Sequence, residues 1–134
     1  MREMLFRGKR LDNGDWVEGY LEYFTTAANR LVCYISAWGK KMHEVYPDTV
    51  GQYTGLKDRN GKRIFDGDIV RHWNCSKRGC DTGKVYWDDC FCGWRRTTDG
   101  TFHGTFVRDY RMSSECDYEV IGNIHDNTEL LEDT

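Results

Sequence analysis

Proline, long apolar runs and charge of one sign are all scarce in this chain of 134 residues, and each scarcity excludes something. A helix that crosses a bilayer needs about 20 consecutive apolar residues, and no such run is present. Near the N-terminus, Arg2, Glu3, Arg7, Lys9 and Arg10 break up the apolar segment that a secretory signal requires. A soluble, cytoplasmic protein without a membrane partner is expected. The formal net charge of −3 argues mildly against a nucleic-acid binder. Phosphate-cradling glycine loops are also missing, because the glycines stand at hairpin turns.

Glycine and aromatic residues are what the chain has in quantity: fourteen Gly, five Trp, eight Tyr and six Phe. Aromatic side chains suit half-buried pleated surfaces and glycine suits tight turns. A mainly β protein of short antiparallel strands and hairpins is therefore expected, and a helical bundle is not. At this length the chain buries roughly two thirds of its unfolded surface, enough to fold without staples.

Taken in order, residues 4–6 read as a first strand, Asp12-Asn13-Gly14 as its turn and residues 16–24 as the return. Residues 31–38 form the most apolar run. Pro47, the lone proline, suits a strand edge or the start of a turn. A loop is expected over 74–83, then strands over 84–87, 101–107 and 118–124. Asn127 is placed to cap a last helical turn through Leu131.

The return strand has apolar residues on both faces. Alternation puts Val17, Leu21 and Tyr23 on one side, and Trp16, Tyr20 and Phe24 beside Glu18 and Glu22 on the other. Such a strand is covered twice, by a loop of its own chain or by another subunit.

Residues 51–73 carry the clearest turn signals. Asp58-Arg59-Asn60-Gly61 reads as a type I turn closed by a left-handed glycine, with Leu56 and Ile64 flanking it on paired strands. Asp66-Gly67 is a second turn, from which a strand leaves at Asp68. The run Gln52-Tyr53-Thr54-Gly55-Leu56-Lys57-Asp58, followed by Asn60-Gly61-Lys62, Ile64 and Gly67-Asp68-Ile69-Val70, resembles the signature of the YopX family of phage and prophage proteins. The opening Arg2-Glu3-Met4-Leu5-Phe6-Arg7 resembles it too, as does the close from Tyr118 to Asn127 with Glu129-Leu130-Leu131. The resemblance implies a mainly β protein of unknown activity with an SH3-like barrel portion and a tendency to self-associate. Either one domain spans 1–134, or an N-terminal β lobe over 1–48 precedes a barrel-like lobe over 49–134.

Two constellations outside that signature carry chemistry. Cys75, Cys80, Cys90 and Cys92 supply two pairs of thiols, as a tetrahedral zinc site needs, with His72 or His103 as a substitute ligand. Zinc fingers and ribbons prefer two residues between paired cysteines, whereas here four and one intervene. The alternative is free thiols that pack as small hydrophobes. A cysteine nucleophile beside His72 or His125 lacks any marking feature, and no catalytic set is expected.

The second constellation is basic. Lys57, Arg59, Lys62 and Arg63 cluster around the 58–61 turn, with Arg95 and Arg96 further on and Trp73 and Trp94 among the nearby aromatics. Small barrels bind single strands by stacking bases beside a positive groove. Charge is also unevenly spread: residues 1–111 hold 19 basic and 15 acidic residues, while 112–134 hold seven acidic and no Lys or Arg. The sequence thus points first to a non-enzymatic, YopX-like assembly or binding module acting as a homo-oligomer, with a host or phage protein as a further partner. Nucleic-acid binding and a small zinc protein are the alternatives.

Overall fold

Glycine-closed turns and short β-branched runs give the chain ten strands and one short helix among the described residues. The computed structural model describes residues 4–37, 40–74, 79–89, 92–96 and 118–132. The architecture is mainly β, with antiparallel strands in two sheets. The chain divides into two compact units, Met1–Tyr53 and Thr54–Thr134.

In the first unit the strands are β1 (Phe6–Lys9), β2 (Trp16–Thr25), β3 (Leu31–Ser36), β4 (Met42–Val45) and the beginning of β5 (Gly51–Lys57). Their order is β4-β3-β2-β1-β5. The first strand lies later than residues 4–6, because its pairing with β2 runs from Phe6↔Gly19 to Lys9↔Trp16. Past β1, Arg10 bridges Val45 and Leu11 N–H donates to the Glu44 carbonyl at 3.0 Å, so β4 has a backbone partner on each side. Pro47 opens a 3₁₀ turn, Pro47–Thr49, where its missing N–H costs nothing. The Thr49 hydroxyl accepts from Lys9 N–H at 2.9 Å and donates to the Tyr46 carbonyl at 2.6 Å.

Alternation sends Phe6, Val17, Leu21, Cys33, Ile35 and Val45 to one side of this sheet, where they form its core. Full burial of side chains such as Ile35 and Val45 contributes roughly 1.5–3 kcal/mol each.

In the second unit the latter part of β5 lies beside β6 (Arg63–Phe65). A four-stranded sheet follows: β7 (Asp68–Asn74), β8 (Gly79–Asp88), β9 (Gly93–Arg96) and β10 (Tyr118–Asn123), in the order β10-β7-β8-β9. Helix α1 is Glu129–Glu132. Ile64, Val70, Val85, Trp94 and Tyr118 form the core, with Leu56 and Val120 packed against it. Among the described residues the strands do not close into a barrel, so the SH3-like detail of the expectation is not seen.

Both expected turns are present. Asp58 N–H donates to the Lys62 carbonyl at 2.8 Å and Gly61 has φ 80°. Gly67, at φ 87°, donates its N–H to Val85 O, and its carbonyl accepts from Ile124 N–H, each at 2.9 Å. Asp68 closes this turn with its side chain, accepting Phe65 N–H at 2.7 Å.

One expectation changes: the loop over 74–83 is shorter, since β8 already pairs with β7 from Asn74↔Gly79 onward. Asn127 stands before α1, with its carbonyl accepting Leu130 N–H at 3.0 Å and its Oδ1 accepting Asn123 N–H at 3.2 Å at the end of β10. The strand expected over 101–107 falls outside the described residues. No helix among the described residues is long and apolar enough to cross a membrane.

Candidate functional site

The turn between β5 and β6 is built on one carboxylate. Asp58 is 1% exposed. Its Oδ1 accepts the backbone N–H of Asn60 at 2.8 Å and of Lys62 at 2.9 Å, and its Oδ2 accepts Val120 N–H on β10 at 2.9 Å. A second backbone link runs from Arg59 N–H to the Tyr118 carbonyl at 2.8 Å. Hydrogen bonds to an ionised acceptor are about twice as strong as neutral ones, so a single side chain ties a six-residue excursion to a strand sixty residues later.

That scaffold presents cations. Lys57, Arg59 and Lys62 are exposed on the turn, and Arg63, the first residue of β6, is half-buried. Glu119 is the neighbouring acid, with Oε2 3.5 Å from Asn60 Nδ2 and Oε1 3.8 Å from Arg71 Nη1. The arrangement can hold an anionic group on a preset backbone.

The remaining members of the basic and aromatic set do not join it. Trp94 is 7% exposed, packs in the core and meets Trp87 edge-on at 5.2 Å between ring centroids, which leaves no open face for a base to stack on. The Trp73 side chain lies outside the described residues. Arg95 and Arg96, expected with the surface cations, are buried on opposite faces of β9. Arg95 pairs with Asp88 at 3.2 Å.

Arg96 belongs to a polar cluster that sequence reasoning missed. Its Nη2 donates to His72 Nδ1 at 3.0 Å and its guanidinium lies 5.8 Å from the centroid of the Tyr118 ring, itself 4.8 Å from the His72 ring. A guanidinium has no acceptor, so His72 accepts and its Nδ1 carries no proton. The signal available in sequence was an Arg-Arg pair after an aromatic in a short strand, which a surface reading explains equally well.

The cysteine set divides. Cys80 lies near the start of β8 and Cys92 just past its end, before β9. About eight residues of extended strand separate them, on the order of 26 Å. Two zinc-bound sulfurs lie within about 4 Å of each other, each ligated at about 2.3 Å, so Cys80 and Cys92 cannot share one ion. Cys75 and Cys90 lie outside the described residues, as does His103. Cys92 is exposed, with its Sγ 3.6 Å from Asp89 O. Cys33 is buried, and burial pushes its thiol up from the ordinary value, away from a reactive thiolate. Among the described residues no three His, Cys, Asp or Glu side chains converge on a metal position.

In the first unit the two-faced strand is present as read. On the face of β2 and β3 turned away from the core, Phe24 stacks on Tyr34 at 6.0 Å with an interplanar angle of 17°. Tyr20 is exposed there, next to Ser36 and Met42 in the cross-strand register. At the far end of the hairpin Tyr23, 69% exposed, and Leu31 lie on the core side by register, while Phe24, 51% exposed, lies on the outer face. The opposite end of this face holds Trp16, with Arg7 4.8 Å and Lys9 5.6 Å from its ring centroid.

The chain is similar in structure to protein EF1440 from Enterococcus faecalis, known from a crystal structure. The TM-score is 0.58 at 21% identity, over 98% of this chain and 99% of that one, a likeness of fold alone. No curated protein matches the sequence. The profile of the YopX protein family matches residues 5–132, nearly the whole length. The chain belongs to the YopX protein family.

Proposed function

We propose that this YopX-family chain is a phage- or prophage-derived module that catalyses no reaction and works as a homo-oligomer that binds other macromolecules in the cytoplasm. The observation that carries the reading is the aromatic set on the outer face of the β2–β3 hairpin, where Tyr20 and Phe24 are exposed and Phe24 stacks on Tyr34. A contiguous exposed aromatic patch on a small protein marks an interaction surface, and aromatic residues are enriched at interfaces. Multi-angle light scattering at micromolar concentration tests it. The expected mass is a multiple of 15.8 kDa, and Tyr20→Ser with Phe24→Ser lowers it without lowering the melting temperature. A parent protein of monomer mass over the whole concentration range overturns the homo-oligomer.

One observation favours a second reading, binding of nucleic acid. Asp58 holds rigid the loop that exposes Lys57, Arg59 and Lys62, and a pre-ordered cationic loop loses little entropy on meeting phosphates. This reading expects an oligonucleotide to be retained at low salt and released as salt rises. No retention at 20 mM salt removes it.

A further inference from the structure

Strand β2 is ten residues long, and its two halves have different surroundings. Residues 16–19 pair with β1 and residues 20–25 with β3. The β1 ladder ends at Phe6↔Gly19, so among the described residues no strand pairs with the other edge of residues 21–25. In an antiparallel ladder alternate residues turn their N–H and C=O to opposite sides. Thr26 N–H donates to the carbonyl of Arg30, its partner in the continued register, at 2.8 Å. That bond fixes the phase: Glu22 and Phe24 address β3, while Leu21, Tyr23 and Thr25 turn their N–H and C=O to the open edge.

The other edges are blunted, as soluble proteins require. Arg10 and Leu11 lie along β4. On β10 the Tyr118 carbonyl accepts Arg59 N–H and Val120 N–H donates to Asp58. Strands β6 and β9 are only three and four residues long. Residues 20–25 hold no Lys, Pro or Gly to discourage pairing, and Tyr23 and Phe24 stand exposed on the two faces of that segment.

We infer that this edge pairs antiparallel with the same edge of a second copy, about a two-fold axis at Tyr23. A second copy is the occupant because a two-fold axis closes both edges at once, whereas an added foreign strand presents a new open edge of its own. Pattern then selects the register. With Tyr23 opposite itself, Leu21 faces Thr25, and all three outward-turned residues of each copy exchange backbone hydrogen bonds. An axis at Glu22 opposes two carboxylates and leaves Thr25 unpaired; an axis at Phe24 leaves Leu21 unpaired. On one side of the joined sheet Tyr23 meets Tyr23 beside Leu21 and Leu31, and on the other Phe24 lies across from Glu22, next to Tyr34. Aromatic side chains bury about 150–250 Å² each, so covering the exposed parts of Tyr23 and Phe24 with Leu31 and the strand backbone in both copies approaches the roughly 1,000 Å² of a specific interface.

The inference rests on the homo-oligomer reading, and two measurements separate them. Tyr23→Lys sets two cations face to face across the axis, and Tyr23→Pro removes an N–H that β3 does not use. Melting curves check that both variants fold. In light scattering each is expected at monomer mass, with the dissociation constant raised about tenfold or more. Tyr23→Lys mixed with Tyr23→Glu is expected to recover a dimer, because position 23 faces itself. Amide hydrogen exchange followed by NMR reads the backbone: Leu21 and Thr25 are expected to exchange about tenfold or more slowly in the parent than in Tyr23→Lys, while Glu22 and Phe24, bonded to β3, keep equal protection.

A parent protein of monomer mass overturns the homo-oligomer reading and the contact with it. An oligomeric parent whose mass neither variant lowers, or whose Leu21 and Thr25 amides exchange as fast as those of the variant, overturns the edge pairing and leaves that reading standing.

Discussion

The Asp58 carboxylate accepts the backbone N–H of Val120 at 2.9 Å across 62 residues of sequence. The same carboxylate closes the Asn60 and Lys62 turn. Local turn formation and long-range pairing with β10 thus depend on one side chain, and the basic loop inherits its shape from both.

Replacing Asp58 with Ala leaves three backbone donors without that acceptor. The expected loss is about 3 kcal/mol or more, against an ordinary substitution of about 1 kcal/mol. Asp58→Asn is expected to cost less, because one oxygen remains, but its amide would then point a donor at a donor. Urea denaturation of the two variants measures this. An Asp58→Ala protein within about 0.5 kcal/mol of the parent would show that the three hydrogen bonds do not hold the turn.

Gly61 and Gly67 lie at φ 80° and 87°, a region that β-branched side chains resist. Gly61→Val and Gly67→Val are each expected to destabilise by more than about 1 kcal/mol. At Gly61 a Cβ would meet nothing within 4 Å, so there the whole cost is conformational and Gly61→Asn should recover part of it. Thermal melts of the three proteins decide the matter, and unchanged melting for both Val variants would contradict the turn assignment.

Arg96 and His72 are coupled through a hydrogen bond and a shared ring, that of Tyr118. Arg96→Leu and His72→Phe are each expected to cost about 1–3 kcal/mol. In the double variant the losses should fall short of their sum by about 0.5 kcal/mol or more, as for contacting residues. Additive losses would mean that the two side chains contribute independently.

Asp12 provides a pH test with a defined sign. Two hydrogen bonds from Arg10, at 2.9 and 2.6 Å, hold its carboxyl below the usual range. A lowered folded-state pKa gives stability that is present above the unfolded value of about 4 and is lost as pH falls through the folded one. The pair is exposed, so its contribution is small. The gap in melting temperature between parent and Asp12→Asn is expected to be slight at pH 7 and to shrink toward pH 2. A gap that widens with acid contradicts the pairing.

Turns and strand alternation were legible in the sequence because both are local. Asp58-Arg59-Asn60-Gly61 and Asp66-Gly67 announce their backbone through residues that favour those angles, and the two faces of β2 follow from a period of two. What was not legible depends on partners distant in sequence. Nothing near Asp58 states that its second oxygen serves Val120. Nothing near Arg96 states that His72 and Tyr118 will enclose its guanidinium, so an exposed basic pair was the natural reading. The four cysteines offered two pairs of thiols at loose spacing, and the length of β8 sets Cys80 and Cys92 apart.

A native mass spectrum of the protein purified gently from its expression host tests the central claim, assembly of identical copies, most directly. The account predicts peaks at one defined multiple of 15.8 kDa, free of bound nucleic acid. A spectrum holding only the 15.8 kDa monomer would contradict it.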